Sequence, residues 1–169
     1  AFNGRMLWKK PLKNWGWPQW AEERFADKDW TTLRGARTIV PNENQRRLVA
    51  DGDRLYVTLD YHAPLSILDA KTGEVQHTVA ETTPAREILA QAGIVLVHSR
   101  DPSAAAAQRR GDPGKAPSFL AAVDGTAGTV LWKHQTSPID NLMLAIDDGL
   151  VFFRSGPELT CWDLAGGRP

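Results

Sequence analysis

With 169 residues, 42% apolar and 24% charged, the chain has the length and composition of one folded domain or part of one. Twenty Lys plus Arg balance twenty Asp plus Glu, so no global field favours nucleic acid or an anionic membrane as partner. The longest apolar runs, such as residues 93–97, are too short to span a bilayer, and the single cysteine, Cys161, has no partner for an internal disulfide.

Residues 5–12 (RMLWKKPL) predict a strand in which Met6, Trp8 and Lys10 alternate with Leu7 and Lys9, and Pro11 confines it to an edge. Residues 13–45 break the pattern and hold four of the seven tryptophans, Trp15, Trp17, Trp20 and Trp30. Within them residues 18–26 predict a short helix and residues 31–35 a turn or a further helical piece. Four strands are then expected at 46–50, 54–60, 65–69 and 74–79, with Asp51-Gly52 as a hairpin signal between the first two. The series repeats at 86–90, 93–99, 118–124 and 129–135, interrupted by an Ala-, Pro-, Gly- and Arg-rich loop at 101–117. Three more strands are expected at 141–146, 150–154 and 159–163.

One phrase recurs through this series: an Asp, a tight turn ending in Gly, and a short apolar strand with an aromatic residue four positions past the Gly. It occurs as Asp69-Ala-Lys-Thr-Gly73 leading to His77, and as Asp124-Gly-Thr-Ala-Gly128 leading to Trp132. The chain opens inside a third copy, Gly4 to Trp8, and closes inside a fourth, Asp163 to Gly167. A second phrase, a Gly ahead of an apolar run, occurs at Gly52, Gly93 and Gly149, of which Gly93 lies 20 residues beyond Gly73 and Gly149 lies 21 beyond Gly128. With the 101–117 loop set aside, the period is about 40 residues, that of four-stranded propeller blades. Each such sheet is apolar on both faces and buries itself only by stacking on its neighbours. The turn Gly supplies a positive φ, the Asp accepts from backbone N–H groups inside the turn, and the Trp offers a large apolar body for the next sheet to cover. The expected fold is therefore all-β: a partial propeller of about three four-stranded antiparallel blades. Its parts are the last strand of a preceding blade (1–12), a Trp-rich, partly helical insertion (13–45), a blade (46–80), a blade with a loop insertion (81–136) and three strands of another (137–169). Because Ala1 falls inside a repeat, the chain is expected to be cut from something longer, and with no charged-then-apolar leader at its start any export signal is expected to lie outside it or to have been removed.

The phrases at Ala1–Trp8, Asp69–Glu74 and Asp124–Trp132 resemble the tryptophan-docking repeat of quinoprotein-like eight-bladed propellers. That superfamily includes pyrroloquinoline-quinone (PQQ) alcohol dehydrogenases and the lipoprotein scaffold of the bacterial outer-membrane assembly machine. The resemblance covers about 125 residues, omitting the Trp-rich insertion and the Ala-rich loop. It implies structural docking roles for Trp8, Gly73, His77, Gly128, Trp132 and Gly167, with His77 a departure where Trp is expected. It also implies a bacterial protein of periplasmic or envelope-associated location. PQQ enzymes hold their cofactor between a Trp floor and a disulfide of adjacent cysteines, beside calcium and an acidic base. With Cys161 alone, no cofactor is expected in this segment, and PQQ with calcium stands as the alternative.

Outside the repeats, Trp15, Trp17, Trp20 and Trp30 are the candidate binding residues, since tandem Trp left in water must cover something. They read either as a lid over the propeller or as a surface for a peptide, sugar or partner domain. Gly111 to Lys115 has the wrong spacing for a phosphate loop and reads as a flexible connection. His62, His77, His98 and His134 lack metal-ligand spacing and are expected at strand tips or in solvent. Asp60-Tyr61-His62, ending a strand, is a candidate for a central channel. No Gly-x-Ser-x-Gly elbow is present. The function expected is a non-catalytic protein-interaction scaffold. The alternatives are part of a PQQ-dependent oxidoreductase with its site elsewhere, and carbohydrate or peptide binding through the insertion. Expected partners are other blades or domains of a longer protein and further copies meeting at open sheet edges.

Overall fold

A computed structural model of the chain describes residues 4–12, 15, 46–100, 118–140 and 142–168. Among them stand three antiparallel sheets, of four, four and three strands. The first runs β1 (Leu48–Asp51), β2 (Arg54–Thr58), β3 (Leu65–Asp69), β4 (Val75–Val79). A short 3-10 turn, Ala80–Thr82, leads to the second: β5 (Ala85–Gln91), β6 (Ile94–Arg100), β7 (Ser118–Asp124), β8 (Val130–Thr136). The third holds β9 (Leu144–Asp147), β10 (Leu150–Ser155) and β11 (Glu158–Asp163). Each is a meander with sequential neighbours paired. The first strands lie side by side, β1 against β5 and β5 against β9, so the sheets fan out from a common inner edge. This is an all-β, partial β-propeller.

The stacking follows from period-2 alternation within doubly buried sheets. In β6, Val95 and Val97 point toward the first sheet and join Tyr56, Leu65, Ile67 and Val79. Leu96, between them, points the other way, into a cluster with Leu120, Trp132, Leu144, Val151 and Phe153. Val95, Leu96 and Val97 are all fully buried. A one-residue slip of this strand would exchange the two seams, which is what pins its register.

Residues 5–12 belong to no sheet. Their expected strand finds no hydrogen-bonding edge among the described residues, although Gly4 keeps the turn-type φ of +67°. The first strand of the first sheet begins at Leu48 rather than Arg46, because Arg46 and Arg47 are engaged with neighbouring elements. The expected helix at 18–26 and turn at 31–35 lie outside the described residues, as does the 101–117 loop.

Two ends of the fan differ in kind. One carries only tight turns, at Gly52, Gly73, Gly93, Gly128, Gly149 and Gly167, all with positive φ. At the other, both long connections are rooted: 13–45 ends just before β1, and 101–117 joins the end of β6 to the start of β7.

Candidate functional site

The turn end is built from one repeated motif. Asp69 Oδ1 accepts from the N–H of Lys71 and of Thr72, both at 2.8 Å, while Gly73 N–H donates to Asp69 O at 2.9 Å. Asp124 does the same with Thr126 and Ala127, both at 2.8 Å, and Gly128 N–H closes onto Asp124 O at 2.8 Å. At Asp163 the donor is Gly166 N–H, and Gly167 N–H closes onto Asp163 O at 2.8 Å. The backbone N–H of Thr72, then that of Lys71, holds the Asp69 carboxyl below its ordinary range. Ala127, then Thr126, does so for Asp124.

Each turn glycine sits beneath an aromatic side chain of the preceding repeat. A Cβ at Gly73 would lie 2.6 Å from Cδ2 of Trp8, and one at Gly167 would lie 2.5 Å from Cδ2 of Trp132. Both indoles also donate to the carbonyl just after the turn Asp: Trp8 Nε1–H to Ala70 O at 3.0 Å, and Trp132 Nε1–H to Leu164 O at 2.8 Å. At the middle junction His77 takes the place of the indole, 2.6 Å from a Cβ built on Gly128. The structure thus brings Trp8, Gly73, His77, Gly128, Trp132 and Gly167 together as three successive pairs. Trp162 rests on no glycine; it meets Phe153 edge-on at 4.9 Å and Trp132 at 6.4 Å between ring centroids.

At the inner edge, Arg46, standing just ahead of β1, bonds to the second and third sheets. Its carbonyl accepts from Ile88 N–H at 2.7 Å, and Nη2 donates to Glu87 Oε1 and to Leu144 O, each at 3.0 Å. Glu87 is 2% exposed, and burial raises its carboxyl above the ordinary value while the Arg46 charge opposes that shift. His98 faces Glu87 across the β5–β6 ladder. It departs from the solvent or strand-tip position expected of it, being 6% exposed, because it occupies an inward position of a sheet covered on both sides. Burial, then the charges of Arg100 and Arg86, lowers its pKa to about 3.

The end that roots the long connections carries an aromatic and guanidinium patch. Arg47 lies 4.5 Å from the Tyr61 ring centroid and 5.4 Å from that of Trp15, and Arg86 lies 5.6 Å from Tyr61. Arg47 Nη1 donates to Tyr61 O at 2.6 Å, and Trp15 meets Tyr61 edge-on at 6.2 Å. His62 is exposed beside Tyr61. Of the four candidate binding tryptophans, Trp15 stands in this patch; Trp17, Trp20 and Trp30 lie outside the described residues. Sequence reasoning missed Arg46, Arg47 and Glu87, since no local pattern signals a contact between residues 41 and 98 positions apart.

The sequence has one cysteine, and among the described residues no group of three or more His, Cys, Asp or Glu side chains is gathered to hold a metal ion. No helix among them is long and apolar enough to cross a membrane.

Fold and site together define a β-propeller-like chain whose sheets are joined by aromatic-on-glycine docks. No protein-family model matches the sequence, and no curated protein matches it. Solved structures similar to it include the computationally designed protein Ika4, at 13% identity over 69% of this chain and 64% of that one, with a TM-score of 0.50. The designed Ika8 gives 15% identity, 75% and 36% coverage, and 0.49. BamB from Moraxella catarrhalis gives 18% identity, 72% and 34% coverage, and 0.47. The chain therefore spans 64% of the first and about a third of the other two, and the likeness concerns the fold alone.

Proposed function

We propose that this chain is a non-catalytic propeller segment of the quinoprotein-like, PQQ-like-repeat kind, serving as a scaffold that binds protein through the end where its long connections are rooted. The observation that carries the reading is the contrast between the two ends. One end carries only tight turns; the other roots both long connections and bears a patch of Trp15, Arg47, Tyr61 and exposed His62. Aromatic and Arg side chains on loops over a rigid frame are what dominate protein contacts. In this reading Trp15, Trp17, Trp20 and Trp30 belong to the binding surface, the chemistry of any PQQ enzyme is foreign to this segment, and location in a bacterial envelope is in keeping with the repeat type.

The repeat type draws support from the indole-to-carbonyl bond made by Trp8 and again by Trp132, each over a glycine of the next sheet. Open edges at β4, β8 and β11 suit further blades, domains or copies as partners.

The test places a photo-crosslinking amino acid at His62 in one variant and at Lys71, on the turn end, in another. Cross-links to partner protein are expected from position 62 and not from 71. Cross-links from 71 alone, or equally from both, overturn the reading. PQQ with calcium is expected to leave tryptophan fluorescence unchanged; quenching at micromolar cofactor would favour the oxidoreductase instead.

A further inference from the structure

We propose that Arg46 and Glu87 form an acid-released clasp at the inner edge of the fan, holding the first sheet against the second and third until Glu87 is protonated. The geometry makes Arg46 the crossing point. It stands ahead of β1, its carbonyl takes Ile88 N–H from β5, and one nitrogen of its guanidinium is shared between the Glu87 carboxylate of β5 and the Leu144 carbonyl of β9. The two partners are placed unequally: the Glu87 side chain is 2% exposed and that of Arg46 is 48% exposed. When the carboxylate loses its charge, the guanidinium has water within reach and Glu87 does not.

The charged group acting on Glu87 is Arg46 from ahead of β1; His98 of β6 is its cross-strand neighbour, and Arg100 and Arg86 act on His98. From β9 the Leu144 carbonyl accepts from Arg46, and Asp147 stands at the far end of that strand. His98 stays neutral until about pH 3, so it adds no cation to the seam while Glu87 titrates. Glu87 is raised above the ordinary carboxyl value, with burial outweighing Arg46, so it takes its proton earlier than an exposed glutamate as pH falls. The sign has a consequence for stability. A carboxyl whose folded pKa is raised makes the fold relatively more stable as pH falls through that value. The clasp therefore loosens while the sheet that carries Glu87 does not, which separates a latch from plain acid unfolding.

The experiment measures amide hydrogen-exchange protection at Ile88, whose N–H is bonded to Arg46 O, and at Val95 and Val97 in the middle of β6. It covers pH 7 to 4 in the wild type, in Glu87→Gln and in Arg46→Met. At pH 7, protection at Ile88 is expected to be roughly fivefold lower in Glu87→Gln than in the wild type, as a charge-assisted bond gives way to a neutral one, with Val95 and Val97 unchanged. The wild type is expected to show the same selective loss as pH falls, and both variants to show none beyond their starting level. Equal Ile88 protection in wild type and Glu87→Gln at pH 7 overturns the proposal, as does a pH-dependent loss that persists in Arg46→Met. Should Glu87→Gln not fold, the comparison of wild type with Arg46→Met decides the matter.

Discussion

Removing the Trp132 side chain tests the docking of one sheet on the next at its best-defined point. Trp132 is 8% exposed, so nearly the whole indole is withdrawn from water. An indole buries on the order of 200 Å², which at about 25 cal/mol per Å² gives about 5 kcal/mol as an upper figure. Large aromatic to Ala changes in cores cost about 3–5 kcal/mol. Trp132→Ala is therefore expected to lower stability by about 3–5 kcal/mol, read from urea unfolding followed by far-UV circular dichroism. Trp132→Phe keeps much of the apolar area, loses the Nε1–H bond to Leu164 O, and should cost less, about 1–2 kcal/mol. Gly167→Ala attacks the same contact from below. Its φ of +65° costs an L-residue about 1–2 kcal/mol, and the new Cβ would also lie 2.5 Å from the indole. In the Trp132→Ala background the backbone part and the 2.9 Å approach to His134 Cδ2 remain but the clash with the indole is gone, so the double variant should be less unstable than the two single losses added together. Strict additivity, or a Trp132→Ala cost below about 1 kcal/mol, would refute the idea that this indole seats on that glycine.

Other expectations concern single groups. His98, with its pKa held at about 3 against an ordinary 6.5, contributes stability that is complete above pH 6.5 and declines as pH falls toward 3. The loss by pH 5 should be about 2 kcal/mol, offset in part by Glu87, whose raised carboxyl acts in the opposite sense. His98→Leu should flatten the urea midpoint between pH 7 and 5; an unchanged slope would contradict the buried placement. Asp124→Ala should lower the melting temperature more than Asp124→Asn, because the amide oxygen of Asn can still accept from Thr126 and Ala127 N–H; equal effects would argue against those bonds. Trp15→Ala should cost no more than about 1 kcal/mol, the scale of an exposed cation–π contact with Arg47, and a larger loss would place Trp15 in the core rather than on a surface.

The repeated turn was the most legible part of the sequence because its chemistry is local. Asp69, Gly73, Asp124 and Gly128 act on backbone groups two to four residues away, and the glycines require a φ that other residues resist. The apolar run after Gly93 likewise gave a strand, since a strand buried on both faces keeps apolar residues at successive positions. Two readings failed for want of distant information. Residues 5–12 carry strand chemistry, but a strand exists only when paired with an edge, and among the described residues they pair with none. His98 was placed in solvent because a lone histidine carries no mark of burial; its position follows from the third sheet covering β6, which no local pattern discloses. Arg46 reads as an ordinary surface arginine for the same reason, although from just ahead of β1 it bonds residues of the second and third sheets.

The proton chemical shifts of the turn glycines test the stacked arrangement most directly. In the wild-type protein the Hα resonances of Gly73 and Gly167, beneath Trp8 and Trp132, should be moved upfield by the rings and show nuclear Overhauser contacts to those indoles. Gly149, with a φ of +74° and nothing within 4 Å of its Cβ position, should not, and the Gly167 shift should shrink in Trp132→Phe and vanish in Trp132→Ala. Glycine resonances at ordinary positions, with no contact to either indole, would contradict the account.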